Sequence, residues 1–379
     1  MTEPTLEVAP GAVMGRHHGR RTARHFGRPN LEYQAAVGSA AVLDRSHRSR
    51  LAISGRAPVR MLAGVLTNSV PPPPGPAASG LLAGRTAYSA VLIPKGRMVT
   101  DLVVAWRGTR EDRHGLWLHV PAAGRAALVA HLRKFLPPRF AFVDDVTDAT
   151  GTLTVAGPDA AGMVGAALGI ASGELAALDA DGCLLTGPAP PDGLLIARLA
   201  DVRLPAFDIL GDRAALSRLG AELVRLGAAP TGMGVFETLR IEAGRPEFGL
   251  DMDDRTIPTE AGIDARAIDH GKGCYTGQEV IVRIRDRGHV NRHLRGLLLG
   301  DAPTPAPATP LYSDTKAKPV GHVTSAAMSP AFGQTIALGF VRREVVPSAE
   351  LRLESPDGAR AGVRALGEDG WELQRGDLS

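Results

Sequence analysis

The sequence predicts an α+β protein in which a duplicated α/β unit precedes a small antiparallel β-barrel, and three observations carry that prediction. Leu51-Ala52-Ile53-Ser54-Gly55, followed by Met61-Leu62 and Leu66, returns at a constant offset as Leu153-Thr154-Val155-Ala156-Gly157, followed by Met163-Val164 and Leu168. Each copy reads as a strand, a glycine turn and a helix. After Arg295 the pattern changes to short β-like runs separated by turns, the grammar of a small barrel. A chain of 379 residues also exceeds one ordinary core and calls for two or three domains.

The elements follow in order. Residues 1–31 are expected to form a flexible tail, because the run Arg16 to Arg28 (RHHGRRTARHFGR) is strongly basic and precedes the first convincing strand. Residues 32–150 form the first half of the duplicated domain, with a hairpin of strands Ala90 to Ile93 and Met98 to Ala105 about the turn 94–97. Pro71 to Pro76 cannot be helical and is expected as an exposed polyproline-like linker. Residues 151–295 form the second half, in which Leu194 to Arg198 and Val202 to Leu210 supply the matching strands. Pro205 interrupts the second of these, the mark of an edge or a bulge. Arg125-Ala126-Ala127-Leu128 is echoed by Arg213-Ala214-Ala215-Leu216. Residues 296–379 are the barrel, ending in a strand at Trp371 to Gln374.

Composition excludes several classes. Hydrophobic content of 44% with 22% charged residues is that of a soluble globular protein, and no apolar run approaches the ~20 residues that span a bilayer. The first ten residues lack a basic n-region, so a cytoplasmic location is expected. Cys183 and Cys274 lie in unlike contexts, which favours free thiols over a disulfide, and two thiols cannot by themselves hold an iron–sulfur cluster. A formal charge of +3 argues against nucleic acid as a direct ligand. The histidines scatter without metal-ligand spacing, with His270 and His293 flanking the signature region, so no metal site is expected. No dinucleotide fingerprint, P-loop or nucleophile elbow is present.

The stretch Lys272-Gly273-Cys274-Tyr275-Thr276-Gly277-Gln278-Glu279 carries the most chemistry. Thr276 and Glu279 have capping-box spacing, which predicts a helix starting near Gly277. Val280, Ile281 and Ile284 share its apolar face, and Gly288 is placed for a left-handed C-cap. Cys274 then stands at the positive end of a helix dipole, with Lys272 and His270 nearby, a recipe for a reactive thiol. The plain alternative is a small residue filling a tight turn.

The whole octapeptide resembles the signature of the YgfZ-type folate-binding proteins, relatives of the glycine-cleavage T-protein (aminomethyltransferase) that support iron–sulfur enzymes. Arg240-Ile241-Glu242-Ala243-Gly244 is similar to a string shared by both groups. Gly321-His322-Val323-Thr324-Ser325, Ser329-Pro330 and Ile336-Ala337-Leu338-Gly339 resemble the T-protein C-terminal barrel. The resemblance covers roughly residues 32 to 345.

It implies a central pocket for tetrahydrofolate or a one-carbon derivative. Asp101 matches a carboxylate that acts on folate and its aminomethyl donor, and otherwise reads as a surface aspartate. Asp208 matches loosely a glutamate that holds the pterin ring, on a shorter arm. Arg240 would pair either with a folate carboxylate or, the favoured reading, with an internal acid. Asn68 would turn its amide toward the cavity or make a simple Asx turn. Cys274 would be the reactive centre, Lys272 its electrostatic support, Gly273 and Gly277 the source of a tight backbone path, and Gln278 and Glu279 the residues fixing the turn. The implied role is assembly or repair of iron–sulfur proteins through transient contact with clients, with indirect effects on tRNA modification. The alternative is an aminomethyltransferase of glycine cleavage or a related methylamine-degrading system; a third reading is a scaffold that binds no folate.

Overall fold

The repeat seen in the sequence is visible in the backbone. In the computed structural model, strands Ser49–Ser54 and Thr150–Ala156 each run into a glycine with a strongly positive φ, +132° at Gly55 and +136° at Gly157. Helices Pro58–Ala63 and Ala160–Leu168 follow. A Cβ would meet the Phe140 carbonyl at 2.5 Å in the first copy and that of Ser39 at 2.2 Å in the second, so both turns require glycine. The structure describes residues 12–109, 115–187, 193–314, 318–373 and 377. The start of the expected tail and the end of the last expected strand, at Gln374, lie outside them.

Two sheets form the body. The first takes strands Phe142–Asp145, Ser49–Ser54, Leu116–Val120, Met98–Trp106 and Ala87–Leu92 in that spatial order, antiparallel throughout. The second is eight-stranded and combines Thr150–Ala156, Ala206–Asp212, Leu195–Arg198 and Gly182–Leu185 of the second half with Ala41–Asp44 and Leu82–Arg85 of the first. The halves are therefore interlocked by exchanged strands, an arrangement that a simple division of the sequence near residue 150 does not convey. Ala105 and Trp117 of the first sheet pack on Cys183, Leu195 and Leu210 of the second. Strand alternation makes this possible, since one face of each sheet turns outward to helices and the other inward to its twin.

The C-terminal region is a closed antiparallel barrel of six strands: Arg292–Leu298, Gln334–Arg342, Gly321–Ser329, Pro310–Tyr312, Glu350–Leu353 and Arg360–Arg364. It shares a core with the first sheet, in which Leu294, Ile336, Leu338 and Phe340 meet Leu92, Met98, Tyr275 and Ile281. Trp371 closes the seam and donates from Nε1 to the Ile241 carbonyl at 2.7 Å.

Two expectations fail here. Residues 13–25, expected as part of a solvated tail, form a hairpin of strands Val13–His17 and Arg20–His25 about a turn at His18 and Gly19. It is docked, since a Cβ on Gly232 would meet the Arg24 backbone at 2.2 Å. Its many charges hid an alternation that buries His17 and Thr22. The proline-rich segment is likewise anchored, not free: Gly75–Pro76 adds an edge strand to the second sheet, and the Pro71 carbonyl accepts from Trp106 Nε1 at 2.7 Å. Among the described residues no helix is long and apolar enough to cross a membrane.

Candidate active site

Asp101 lies in the middle of strand Met98–Trp106, on the face turned into the space between the sheets. Its Oδ2 accepts from the Tyr88 hydroxyl at 2.7 Å, while its Oδ1 is buried with no hydrogen-bond partner. Tyr88 comes from the neighbouring strand and is placed by the antiparallel register, in which Ala90 faces Asp101. Burial pushes the Asp101 carboxyl up to about 6, and burial together with the nearby Asp101 raises the Tyr88 phenol. The expected surface alternative for Asp101 is thus excluded.

Around Asp101 the cavity wall carries Arg48, Arg240, Arg245, Arg266, Asp201 and Glu247. Arg266 stacks 4.9 Å over the Tyr88 ring and reaches Asp201 at 3.3 Å. The Nε atoms of Arg48 and Arg245 are buried without partners. Such donors are expensive to leave unmade, and they suit an anionic guest.

Tyr88, Asp201 and Arg266 also line a second, adjoining compartment whose apolar walls include Val103, Trp117, Leu195 and Leu210. Asp208 stands at its base, 5% exposed. Both its oxygens are engaged by Arg45, at 3.0 and 3.2 Å, and Oδ1 also accepts from Thr154. Arg45 in turn lies 4.0 Å over the Phe236 ring. The planar edge expected to grip a pterin is therefore committed inside the fold.

Arg240 takes the internal pairing favoured from the sequence. It bonds Glu237 at 2.7 Å, Asp251 at 2.8 Å and Ser325 of the barrel at 2.8 Å. Asn68 donates to the carbonyls of Tyr88 at 2.9 Å and Arg266 at 3.2 Å, and thereby fixes the two segments that supply cavity walls.

The signature segment lies apart. Cys274 is exposed and lines neither compartment. Helix Gln278–Arg287 begins where expected, but no capping box forms: its N-cap is Gly277 at φ +87°, without a side-chain bond. Gly277 is required because a Cβ would meet the Ile93 carbonyl at 2.7 Å. The Thr276 amide instead donates to the Gly64 carbonyl. Gly288, expected in the left-handed region, is extended at φ −125°.

Lys272 is turned to another task than supporting a thiolate. Its Nζ donates to the carbonyls of Ala63, Leu66 and Asn68 at 3.0, 2.7 and 3.0 Å, closing the open end of helix Pro58–Ala63. Burial lowers this ammonium to about 8. Of the remaining motif residues Tyr275 is buried, Gln278 half-buried, and Gly273 and Glu279 exposed. Cys183 is buried between the sheets, and burial raises its thiol to about 12.

Sequence reasoning missed Tyr88, Asp201, Arg48, Arg245 and Arg266. One signal was present: Arg45-Ser46-His47-Arg48-Ser49-Arg50 is a basic hexapeptide that runs from the turn after strand Ala41–Asp44 into the start of strand Ser49–Ser54, and every residue of it is buried. A charge run that cannot be a solvated loop marks an interior polar network.

Comparison with known proteins agrees with this architecture. The profile described as GCVT N-terminal domain matches residues 5–270, and that of the glycine cleavage T-protein C-terminal barrel domain matches residues 292–366. An aminomethyltransferase of Rubrobacter xylanophilus is 30% identical over 330 residues, covering 87% of this chain and 83% of that protein. One from a Nostoc species is 28% identical, covering 82% and 79%. The crystal structure of the glycine cleavage system aminomethyltransferase T from Bartonella henselae superposes with a TM-score of 0.80 at 22% identity, over 95% of this chain and 96% of that one. With both domain profiles in sequence order and the same fold throughout, the chain belongs to the glycine-cleavage T-protein family.

Proposed function

We propose that this protein is a tetrahydrofolate-dependent aminomethyltransferase whose working carboxylate is Asp101. The observation that carries the reading is the unpartnered Oδ1 of Asp101 at the wall of an arginine-lined cavity. A buried acceptor left open in this way is stabilised by a guest that donates to it. The residues suit a reduced folate: apolar walls at Val103, Trp117 and Leu210 for a flat ring, and the free donors of Arg48 and Arg245 for carboxylates. When bound, tetrahydrofolate would supply the nitrogen that accepts a one-carbon unit.

The chain's own part is to orient and to manage a proton. With its carboxyl near 6, Asp101 exchanges between acid and carboxylate close to neutral pH, the range suited to general acid–base work. The Tyr88 hydroxyl pins one oxygen and leaves the other directed to the guest. Arg266 stacks on Tyr88 and holds that ring in place.

This reverses the order expected from the octapeptide alone, since the named relatives are aminomethyltransferases. The iron–sulfur reading stands second and rests on one feature, the exposed thiol of Cys274. The test is transfer of the one-carbon unit of an aminomethyl donor to tetrahydrofolate, with release of ammonia, by the purified full chain. Transfer lost in Asp101→Asn but kept in Cys274→Ser supports the main reading. The converse pattern, with iron–sulfur enzyme activity failing in cells carrying Cys274→Ser, supports the second.

A further inference from the structure

We propose that His17, His47 and Glu247 form a site for a divalent transition metal of the zinc class at the wall of the Asp101 cavity. The three residues come from separate places: the N-terminal hairpin, the turn between strands Ala41–Asp44 and Ser49–Ser54, and the loop after helix Met233–Glu242. No sequence spacing announces such a set, which explains why the histidines look scattered. In the fold their donor atoms lie within 4.8 Å of one another, and their residues are 8%, 5% and 7% exposed.

The geometry suits coordination. His17 Nε2 is 2.9 Å from Glu247 Oε1, while metal–ligand bonds of about 2.1 Å place adjacent donors roughly 3 to 3.5 Å apart. His47 supplies an independent pointer, because its Nδ1 is buried and has no hydrogen-bond partner. Two imidazoles and one carboxylate select zinc-class ions over calcium or magnesium, which prefer all-oxygen shells. Three protein ligands also leave a coordination position for water or a guest.

The surroundings are shaped to hold the set. His18 takes an unusual φ of +48° at the hairpin turn, which brings its Nε2 to 2.8 Å from Glu247 Oε1. It is an outer support of the kind ligating carboxylates receive. Gly249, at φ +94°, admits the His18 ring, where a Cβ would stand 2.8 Å from that ring. His17 packs edge-on against both His18 and His47 at 4.4 and 4.7 Å. A bound ion would fasten the hairpin to the body next to the cavity that Glu247 also lines. The inference stands whether or not folate is the guest.

The experiment is zinc binding by the tag-free full chain, stripped with chelator and titrated with Zn2+ by calorimetry, with metal content measured after gel filtration. The expected result is about one retained equivalent and a higher melting temperature. His47→Gln and Glu247→Gln should weaken binding at least tenfold, and the exposed-site control His270→Gln should not. No zinc retained by the unmutated chain, or equal affinity in all variants, overturns the site. Should either variant fail to fold, X-ray absorption of the zinc-loaded unmutated protein decides the matter: two imidazoles in the first shell support it, and one or none overturns it.

Discussion

Asp101 and Asp208 stand on facing sheets, each at the wall of one of two adjoining compartments and both almost fully buried, at 6% and 5% exposure. Asp208 has both oxygens engaged, by Arg45 and Thr154. Asp101 has one, from Tyr88, and keeps an oxygen open. Two carboxylates in like positions thus serve unlike ends. The engaged one holds strands together, and the one with an open oxygen is kept at a cost in stability that a guest donating to it would offset.

The largest effect expected from this contrast is on stability. Arg45→Ala strips the buried Asp208 of its cation and should cost about 3 to 5 kcal/mol, read from chemical denaturation. A loss below about 1 kcal/mol would show that Asp208 is not held as described.

Asp101 should behave oppositely. Its carboxyl, raised by burial from 3.8 to about 6 in the folded protein, favours folding fully below pH 4 and ceases to do so as pH rises through 6. The loss amounts to about 3 kcal/mol at neutral pH by linkage. Asp101→Asn removes that dependence, so its melting temperature should gain on that of the unmutated protein between pH 4 and 7. One-carbon transfer to tetrahydrofolate should fall by about 10²- to 10⁴-fold in the same variant. A stability difference that does not vary with pH would contradict the shifted carboxyl.

Lys272→Met tests the signature segment as a brace. Losing three hydrogen bonds to backbone carbonyls should cost about 1 to 3 kcal/mol. Any change in folate affinity should come through Asn68, whose carbonyl Lys272 holds and whose amide positions Tyr88. Cys274→Ser, at an exposed position, should shift stability by no more than about 0.5 kcal/mol. Iodoacetamide should label Cys274 far faster than the buried Cys183, and equal slow labelling of both would mean that the loop is closed.

What the sequence made legible follows from the range of the interactions involved. The repeat, the glycines at 55 and 157, the helix ending near Gly244 and the barrel strands rest on local periodicity and backbone sterics, and these are readable within a dozen residues. Asp101 was readable only through resemblance, because nothing beside it in the chain reveals that it would be buried opposite Arg48 and Arg245. The exchange of strand Ala41–Asp44 into the second sheet is a pairing across more than a hundred residues, and only topology reveals it. Lys272 misled because its neighbour in sequence is Cys274, whereas its partners in space are carbonyls more than two hundred residues away. The hairpin at 13–25 was obscured because charge, the usual mark of a solvated run, here includes histidines turned inward onto Glu247.

Calorimetric titration of tetrahydrofolate into the unmutated protein and Asp101→Ala at neutral pH decides whether the open oxygen of Asp101 marks the folate site. The expected result is one site per chain, with affinity reduced at least tenfold by the substitution while the variant melts cooperatively. Absent binding, or equal affinity in both proteins, would contradict it.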